Sequence, residues 1–282
     1  MYAITGITGK VGGAAARTLL DAGLPVRAVL RDAAKAAIWS ERGCQTAQAD
    51  FSDPIALSGA FAGAEGVFIL LPPVFDPSPG YAEARAMIAA VRQALLAARP
   101  AKVVCLSTIG ADAGRPNLLE QLGLMEQALS DLPMPVAFLR AGWFIDNAAW
   151  DVGPAQMTGL IPSFLQPLDR KVPMVSTLDV GRNAAELLRQ DWTGQRVVNL
   201  EGPQRVSPDD IAAAFARLLD KPVRMGAVAR GEWEALFRAQ GMKNPIPRMQ
   251  MLDGFNEGWI EFTGEVRKGT VGLEDALRRL IG

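Results

Sequence analysis

Histidine is missing altogether from this chain of 282 residues. That excludes Ser-His-Asp and Cys-His catalysis and most zinc sites. Any proton transfer falls to Tyr, Lys, Asp, Glu, a hydroxyl or water. Tyrosine is almost as scarce, with Tyr2 and Tyr81 the only two. Cysteine is limited to Cys44 and Cys105, both in apolar runs that read as strands. Two buried free thiols are therefore expected, not a disulfide or a metal pair. Neither sign of charge is in excess: 29 Lys and Arg face 30 Asp and Glu, for a net charge of −1. This balance argues against direct nucleic-acid binding and against a membrane surface. No apolar run approaches the ~20 residues that span a bilayer. No basic and apolar leader opens the chain, so a cytoplasmic protein without a metal is expected.

What is present begins at once. Tyr2-Ala3-Ile4 is a short apolar run, followed by Thr5-Gly6-Ile7-Thr8-Gly9-Lys10-Val11-Gly12-Gly13 and a helical pattern through Ala14, Ala15, Leu19 and Leu20. Strand, glycine-rich turn and helix is the context in which a glycine motif points to a dinucleotide. Glycine lets the backbone turn tightly and approach a pyrophosphate, whose charge then rests on unpaired helix N–H groups. Here the spacing is G-x-x-G-x-x-G, over Gly6, Gly9 and Gly12. A P-loop is excluded, because no glycine stands at the required distance before Gly9-Lys10 and Val11 is not Ser or Thr. The bland alternative is a tight turn with no ligand.

The rhythm that follows is strand and helix in alternation. Strands are expected at 25–30, 44–49, 66–71, 102–106 and 136–139, and helices at 31–42, 54–61, 81–98 and 118–129. This pattern predicts an α/β protein with a doubly wound parallel sheet, a Rossmann fold. After Arg140 the rhythm breaks into a stretch rich in Trp, Gly and Pro. The expectation is a Rossmann domain over 1–150 and a smaller C-terminal α/β lobe over 151–282, with the chain re-entering the sheet near 179–202. Ser207 is read as the N-cap of a helix to Leu219, and the last helix as 273–280.

The cofactor reading extends beyond the turn. An NAD site wants an acidic residue about 20 residues past the glycines to hold the ribose hydroxyls. Arg31 stands there instead, with Lys35 one helical turn on, and two cations on one face suit a 2′-phosphate. NADP(H) is therefore favoured over NAD(H). Against this, Asp32 adjoins Arg31 and could serve a ribose, or simply cap the helix. Asp50 and Phe51 are candidates to flank the adenine, or else a loop cap and a core aromatic. Leu71 and Pro72 close the fourth strand, at the edge where open α/β sheets bind ligands.

Thr5-Gly-x-Thr-Gly-x-Val-Gly12, Val26 to Arg31, Leu106-Ser107-Thr108-x-Gly110 and Leu139-Arg140-x-x-Trp143-Phe144-x-x-Asn147 together resemble the NmrA-like branch of the atypical short-chain dehydrogenase/reductases. The resemblance extends to the NAD(P)H:quinone oxidoreductase-like and redox-sensor members and covers most of the chain. It implies an NADP(H)-binding Rossmann domain with a smaller lobe forming a cleft against it. Ser107, Thr108 and the loop of Trp143, Phe144 and Asn147 would then lie beside the nicotinamide. With the residues read above, the candidate cofactor set is Gly6, Thr8, Gly9, Lys10, Val11, Gly12, Arg31, Lys35, Asp50, Phe51, Leu71 and Pro72, to which the resemblance adds Ser107 and Thr108. Trp143, Phe144 and Asn147 would be the substrate cleft, though Trp143 and Phe144 read equally well as interior packing.

One departure matters. The wider superfamily carries Tyr-x-x-x-Lys on the helix after the fifth strand, whereas Leu118 to Leu129 contains neither residue type. Tyr81 and Glu120 are the only polar candidates for a proton donor, and both read equally as helix-start positions. Three readings stay open: hydride transfer to a quinone-like or small carbonyl acceptor that takes its protons from solvent, use of another donor, or a non-catalytic NADP(H) sensor acting through a regulatory protein partner or as a homodimer.

Overall fold

A computed structural model describes all 282 residues. Chain order opens with β1 (Tyr2–Ile4), α1 (Lys10–Asp21), β2 (Val26–Leu30), α2 (Ala36–Ser40), β3 (Gln45–Gln48), α3 (Pro54–Phe61), β4 (Gly66–Ile69), α4 (Ala82–Ala98), β5 (Lys102–Thr108), α5 (Glu120–Leu129) and β6 (Val136–Ala141). It continues with β7 (Trp143–Phe144), α6 (Val152–Met157), β8 (Leu160–Ser163), β9 (Met174–Val175), α7 (Thr177–Leu188), β10 (Gln195–Glu201), α8 (Pro208–Leu219), β11 (Arg224–Ala227), α9 (Trp233–Ala239), α10 (Ile246–Glu257), β12 (Val266–Lys268) and α11 (Leu273–Ile281).

Eight strands make one wholly parallel sheet in the order β12-β10-β6-β5-β4-β1-β2-β3. The chain winds one way from β1 to β3 and the other way from β4 onward. The order therefore reverses between β1 and β4, and in such sheets that reversal opens a crevice beyond the strand ends. The central strands are buried on both faces, so β4 and β5 carry almost unbroken apolar sequence. One face is covered by α1 and α7, whose core includes Val11, Ala15, Leu19, Val180 and Leu188. The other is covered by α3, α4 and α5, with Leu57, Phe61, Val91, Leu95 and Met125. A third core, around Phe215, Trp233 and Phe237, is built mostly from residues after β6 and also takes in Ile109 and Leu118.

Local chemistry explains several boundaries. Asp53 caps α3 through the amides of Ile55 and Ala56, with Pro54 at the first helical position. Ser207 and Asp210 form a reciprocal capping box on α8. Both cysteines are buried and unpaired.

Some boundaries depart from expectation. The helix expected over 31–42 is a 3-10 turn at Ala33–Lys35 leading into a five-residue helix, because Asp32 caps the amide of Ala34 in the first turn. The fourth strand ends at Ile69, before Leu71, because the Leu70 amide turns to the Thr5 hydroxyl, at 2.8 Å. The fifth runs on to Thr108, since Ser107 and Thr108 still pair with Arg140 and Ala141. Residues 179–202, where re-entry is expected, hold most of α7 and all of β10. A second re-entry, β12, goes unannounced by the sequence: Val266-Arg267-Lys268 has a single apolar residue and takes its place only by pairing with β10.

Candidate active site

The glycine turn sits where β1 ends, at the reversal of strand order. Thr5 pins it there. Its hydroxyl donates to the Phe68 carbonyl at 3.0 Å and accepts from the Leu70 amide, bridging β1 and β4 as the two strands part. Gly6 adopts φ +61°, a left-handed conformation that favours glycine. Gly12 is required by proximity: a Cβ there would lie 2.3 Å from the Gly6 carbonyl oxygen. The turn is thus folded directly onto the first turn of α1. No side chain caps α1, and the amides of Lys10, Val11 and Gly12 have no acceptor in the protein. A bare helix N-terminus, with Thr8, Gly9 and Lys10 exposed beside it, is a site for an anion. These residues fit the diphosphate of a dinucleotide.

Arg31, just past the end of β2, and Lys35, in the turn after it, are exposed and make no ion pair. They stand as two cations outside any ion pair just past the end of β2. Asp32 is occupied with its own turn, accepting the Ala34 amide at 3.0 Å. Asp50 is likewise engaged. Its Oδ1 accepts the amide and hydroxyl of Ser52 at 2.9 and 2.6 Å, and those hydrogen bonds hold its carboxyl below the usual range. Phe51 is half-buried against the core under α3 and α4. Leu71 is buried and Pro72 exposed, immediately past β4.

The side chains at the ends of β5 and β6 are tied together. Ser107 is buried, and its hydroxyl donates to Glu126 at 2.5 Å. Glu126 also takes two bonds from Arg140, at 2.9 and 2.6 Å, while the third reaches Asp112 at 2.5 Å. The Glu126 bridge raises the Arg140 pKa further. Ser107, Arg140 and Asn199 share one register row across β5, β6 and β10. Glu126 and Asp112 complete a polar cluster that the sequence reading missed. Its only signal was an arginine in an otherwise apolar strand, a residue that cannot be buried there without a carboxylate.

Tyr81 and Glu120 do meet, but the tyrosine proton is committed. Its hydroxyl donates to the Asn117 carbonyl at 2.9 Å, with Glu120 Oε2 at 3.4 Å. Burial, then the Glu120 charge, push its pKa up to about 12. Trp143 and Phe144 divide between two cores. Trp143 packs into the lobe, edge-on to Phe255 with ring centroids 5.2 Å apart, while Phe144 packs on the α1–α7 face. Asn147 is half-buried. Its neighbour Asp146, absent from the sequence reading, takes the more prominent role. It accepts the Thr177 amide and hydroxyl at 2.8 and 2.6 Å and stands 3.6 Å from Lys10 Nζ. The glycine turn, the loop after β6 and the start of α7 are joined through that carboxylate.

The sequence profile of the NmrA-like family matches residues 2–254. The chain belongs to the NmrA-like family. Among NmrA-like and related proteins it is 29% identical over 262 residues to the NAD(P)H azoreductase of Xenophilus azovorans, covering 91% of this chain and 85% of that one. Its fold superposes on the NADPH-dependent quinone oxidoreductase of Escherichia coli, determined with NADPH, with a TM-score of 0.83 at 22% identity over the whole of both chains. The triphenylmethane reductase of Citrobacter sp., determined with NADP(H), superposes with a TM-score of 0.75 at 22% identity, over all of this chain and 95% of that one. These likenesses show the α/β Rossmann-like fold around the parallel sheet.

Proposed function

We propose that this NmrA-like protein is an NADP(H)-dependent oxidoreductase that reduces a quinone-like or small carbonyl acceptor without a Tyr-x-x-x-Lys relay. The observation that carries this is the uncapped N-terminus of α1 at the crevice of the sheet, with unpaired Arg31 and Lys35 beyond the end of β2. The reductase activities named for the azoreductase, quinone oxidoreductase and triphenylmethane reductase relatives support it.

The amides of Lys10, Val11 and Gly12 would hold the diphosphate, with Gly6, Thr8 and Gly9 shaping the turn. Arg31 and Lys35 would hold the 2′-phosphate. Asp50 and Phe51 border the adenine end, and Leu71 and Pro72 wall the crevice beyond β4. Thr108 would lie beside the nicotinamide, with Ser107 fixed beneath it by Glu126. Trp143, Phe144 and Asn147 would bound the acceptor cleft between the 1–150 and 151–282 portions. When bound, NADPH supplies the hydride. The chain supplies position and exclusion of water, and the acceptor's oxygens draw their protons from solvent, because the Tyr81 hydroxyl is engaged in a hydrogen bond to the Asn117 carbonyl.

The committed Tyr81 proton also favours one competing reading, a non-catalytic NADP(H) sensor acting through a partner. Oxidation of NADPH followed at 340 nm with a panel of quinones and small carbonyls separates the two. Turnover is expected with at least one quinone. Tight NADPH binding without turnover on any acceptor would select the sensor. Tyr81→Phe is expected to retain turnover within about threefold, since general acid catalysis by this group would be worth roughly a hundredfold or more.

A further inference from the structure

Arg248 lies in the first turn of α10, half-buried and without a carboxylate partner. Its Nη1 reaches only the Met242 sulfur, at 3.7 Å, and its guanidinium carbon stands 4.5 Å from the Phe237 ring centroid. Burial lowers its pKa, yet a guanidinium keeps its proton in proteins, so the charge stays. A charge drawn from water without a counter-charge is destabilising, and such groups gather where a ligand completes them.

The helix is tied to loops that follow the sheet strands. The Leu118 amide, in the loop after β5, donates to Pro247 at 2.9 Å. Asp76, in the loop after β4, accepts the amides of Lys243 and Asn244 at 2.8 and 2.7 Å. The start of α10 is thereby strapped to the loops that follow β4 and β5. Its far end carries Phe255 to Trp143, just past β6. Arg248, Leu252 and Phe255 stand at i, i+4 and i+7, one face of the helix.

We propose that Arg248 anchors an anionic substituent on an aromatic acceptor: a carboxylate, sulfonate or phosphate ester held by paired guanidinium N–H bonds. A planar guanidinium matches such oxyanions two bonds at a time, and half-buried Trp143, held edge-on by the buried Phe255 of this helix face, offers the ring an aromatic side. The assignment rests on the oxidoreductase reading for the reaction but not for binding, so two arms test it.

In the first, NADPH-dependent reduction of 1,4-naphthoquinone-2-sulfonate and of uncharged 2-methyl-1,4-naphthoquinone is compared in wild type, Arg248→Met and Arg248→Lys. The ratio of kcat/KM, sulfonate over methyl, is expected to fall roughly ten- to a hundredfold in Arg248→Met, through KM, as for loss of a charged hydrogen-bond pair. Arg248→Lys is expected to recover part of it. In the second arm, binding of naphthalene-2-sulfonate and 2-naphthol to the NADP⁺-loaded protein is measured by calorimetry. The methionine variant should lose sulfonate affinity selectively. If wild type reduces neither quinone, the calorimetry still decides on Arg248. An unchanged ratio, or equal loss for sulfonate and naphthol, would overturn the proposal.

Discussion

On the proposed reading, Arg31 is the side chain that would divide one cofactor from another. It stands at the position where an NAD site would use a carboxylate, and with Lys35 it leaves two cations free for a phosphate. Arg31→Ala is expected to weaken NADPH binding by roughly tenfold or more, as for a lost charged hydrogen bond, with little change for NADH. Fluorescence titration of both nucleotides checks it, and a parallel loss for NADH would assign Arg31 a role outside 2′-phosphate recognition. Asp151 is a second residue-scale case. Burial pushes its carboxyl up to about 7. The folded state therefore binds a proton that the unfolded state has released, and stability falls as pH rises from the unfolded value near 4 through about 7. Asp151→Asn should raise stability at pH 8 by on the order of 3 kcal/mol and change little at pH 4. Thermal unfolding of both proteins at the two pH values measures it; a variant no more stable than wild type at pH 8 would show that the carboxyl is not held in an apolar setting.

At the scale of elements, α1 is the piece whose placement matters most. Its first turn is folded on the glycine turn at Gly12, and its flank is packed by α7, where a Cβ on Gly181 would fall 2.5 Å from the Ala14 Cβ and 2.6 Å from the Val11 carbonyl oxygen. A Cβ and a backbone oxygen are fixed by the helix and cannot yield as the far end of a flexible side chain would. Gly181→Ala is expected to destabilise the protein by about 1–3 kcal/mol, the usual consequence of overpacking. Because α1 would be displaced, it should weaken NADPH binding as well. Denaturant unfolding together with nucleotide titration tests both. The α1 signal was plain in the sequence, since strand, glycines and helix follow in an unbroken run. The α7 partner was legible as a helix, but the reason for Gly181 was not, because it depends on a neighbour some 170 positions earlier coming into contact.

Bonds between groups far apart in the sequence hold the whole molecule together. Asp76 ties the loop after β4 to residues 243–244, Asn199 holds the carbonyls of Thr263 and Glu265, and Lys10 faces Asp146 across the mouth of the crevice. The Asp76 clip is exposed, and its two backbone bonds hold the carboxyl below the usual range. Asp76→Asn halves the acceptor capacity and removes the charge. Amide exchange at Lys243 and Asn244 should then quicken while the central strands β4 and β5 keep their protection. Hydrogen exchange by mass spectrometry reads this, and unchanged protection at 243–244 would show that the clip does not hold the lobe.

The sequence by itself determined the parallel α/β sheet, the glycine turn and the cationic end of β2. Those rest on local patterns: alternation of strand and helix, freedom at Gly6, and charge at Arg31 and Lys35, each readable within a few neighbouring residues. Only the tertiary structure decided that β12 joins the sheet, that Glu126 and Arg140 bind Ser107, that Tyr81 has no free proton, and that Arg248 stands without a counter-charge. Each of these depends on which distant groups come within hydrogen-bond reach, and a hydrogen bond or an ion pair between separate elements leaves no periodicity in the chain that makes it.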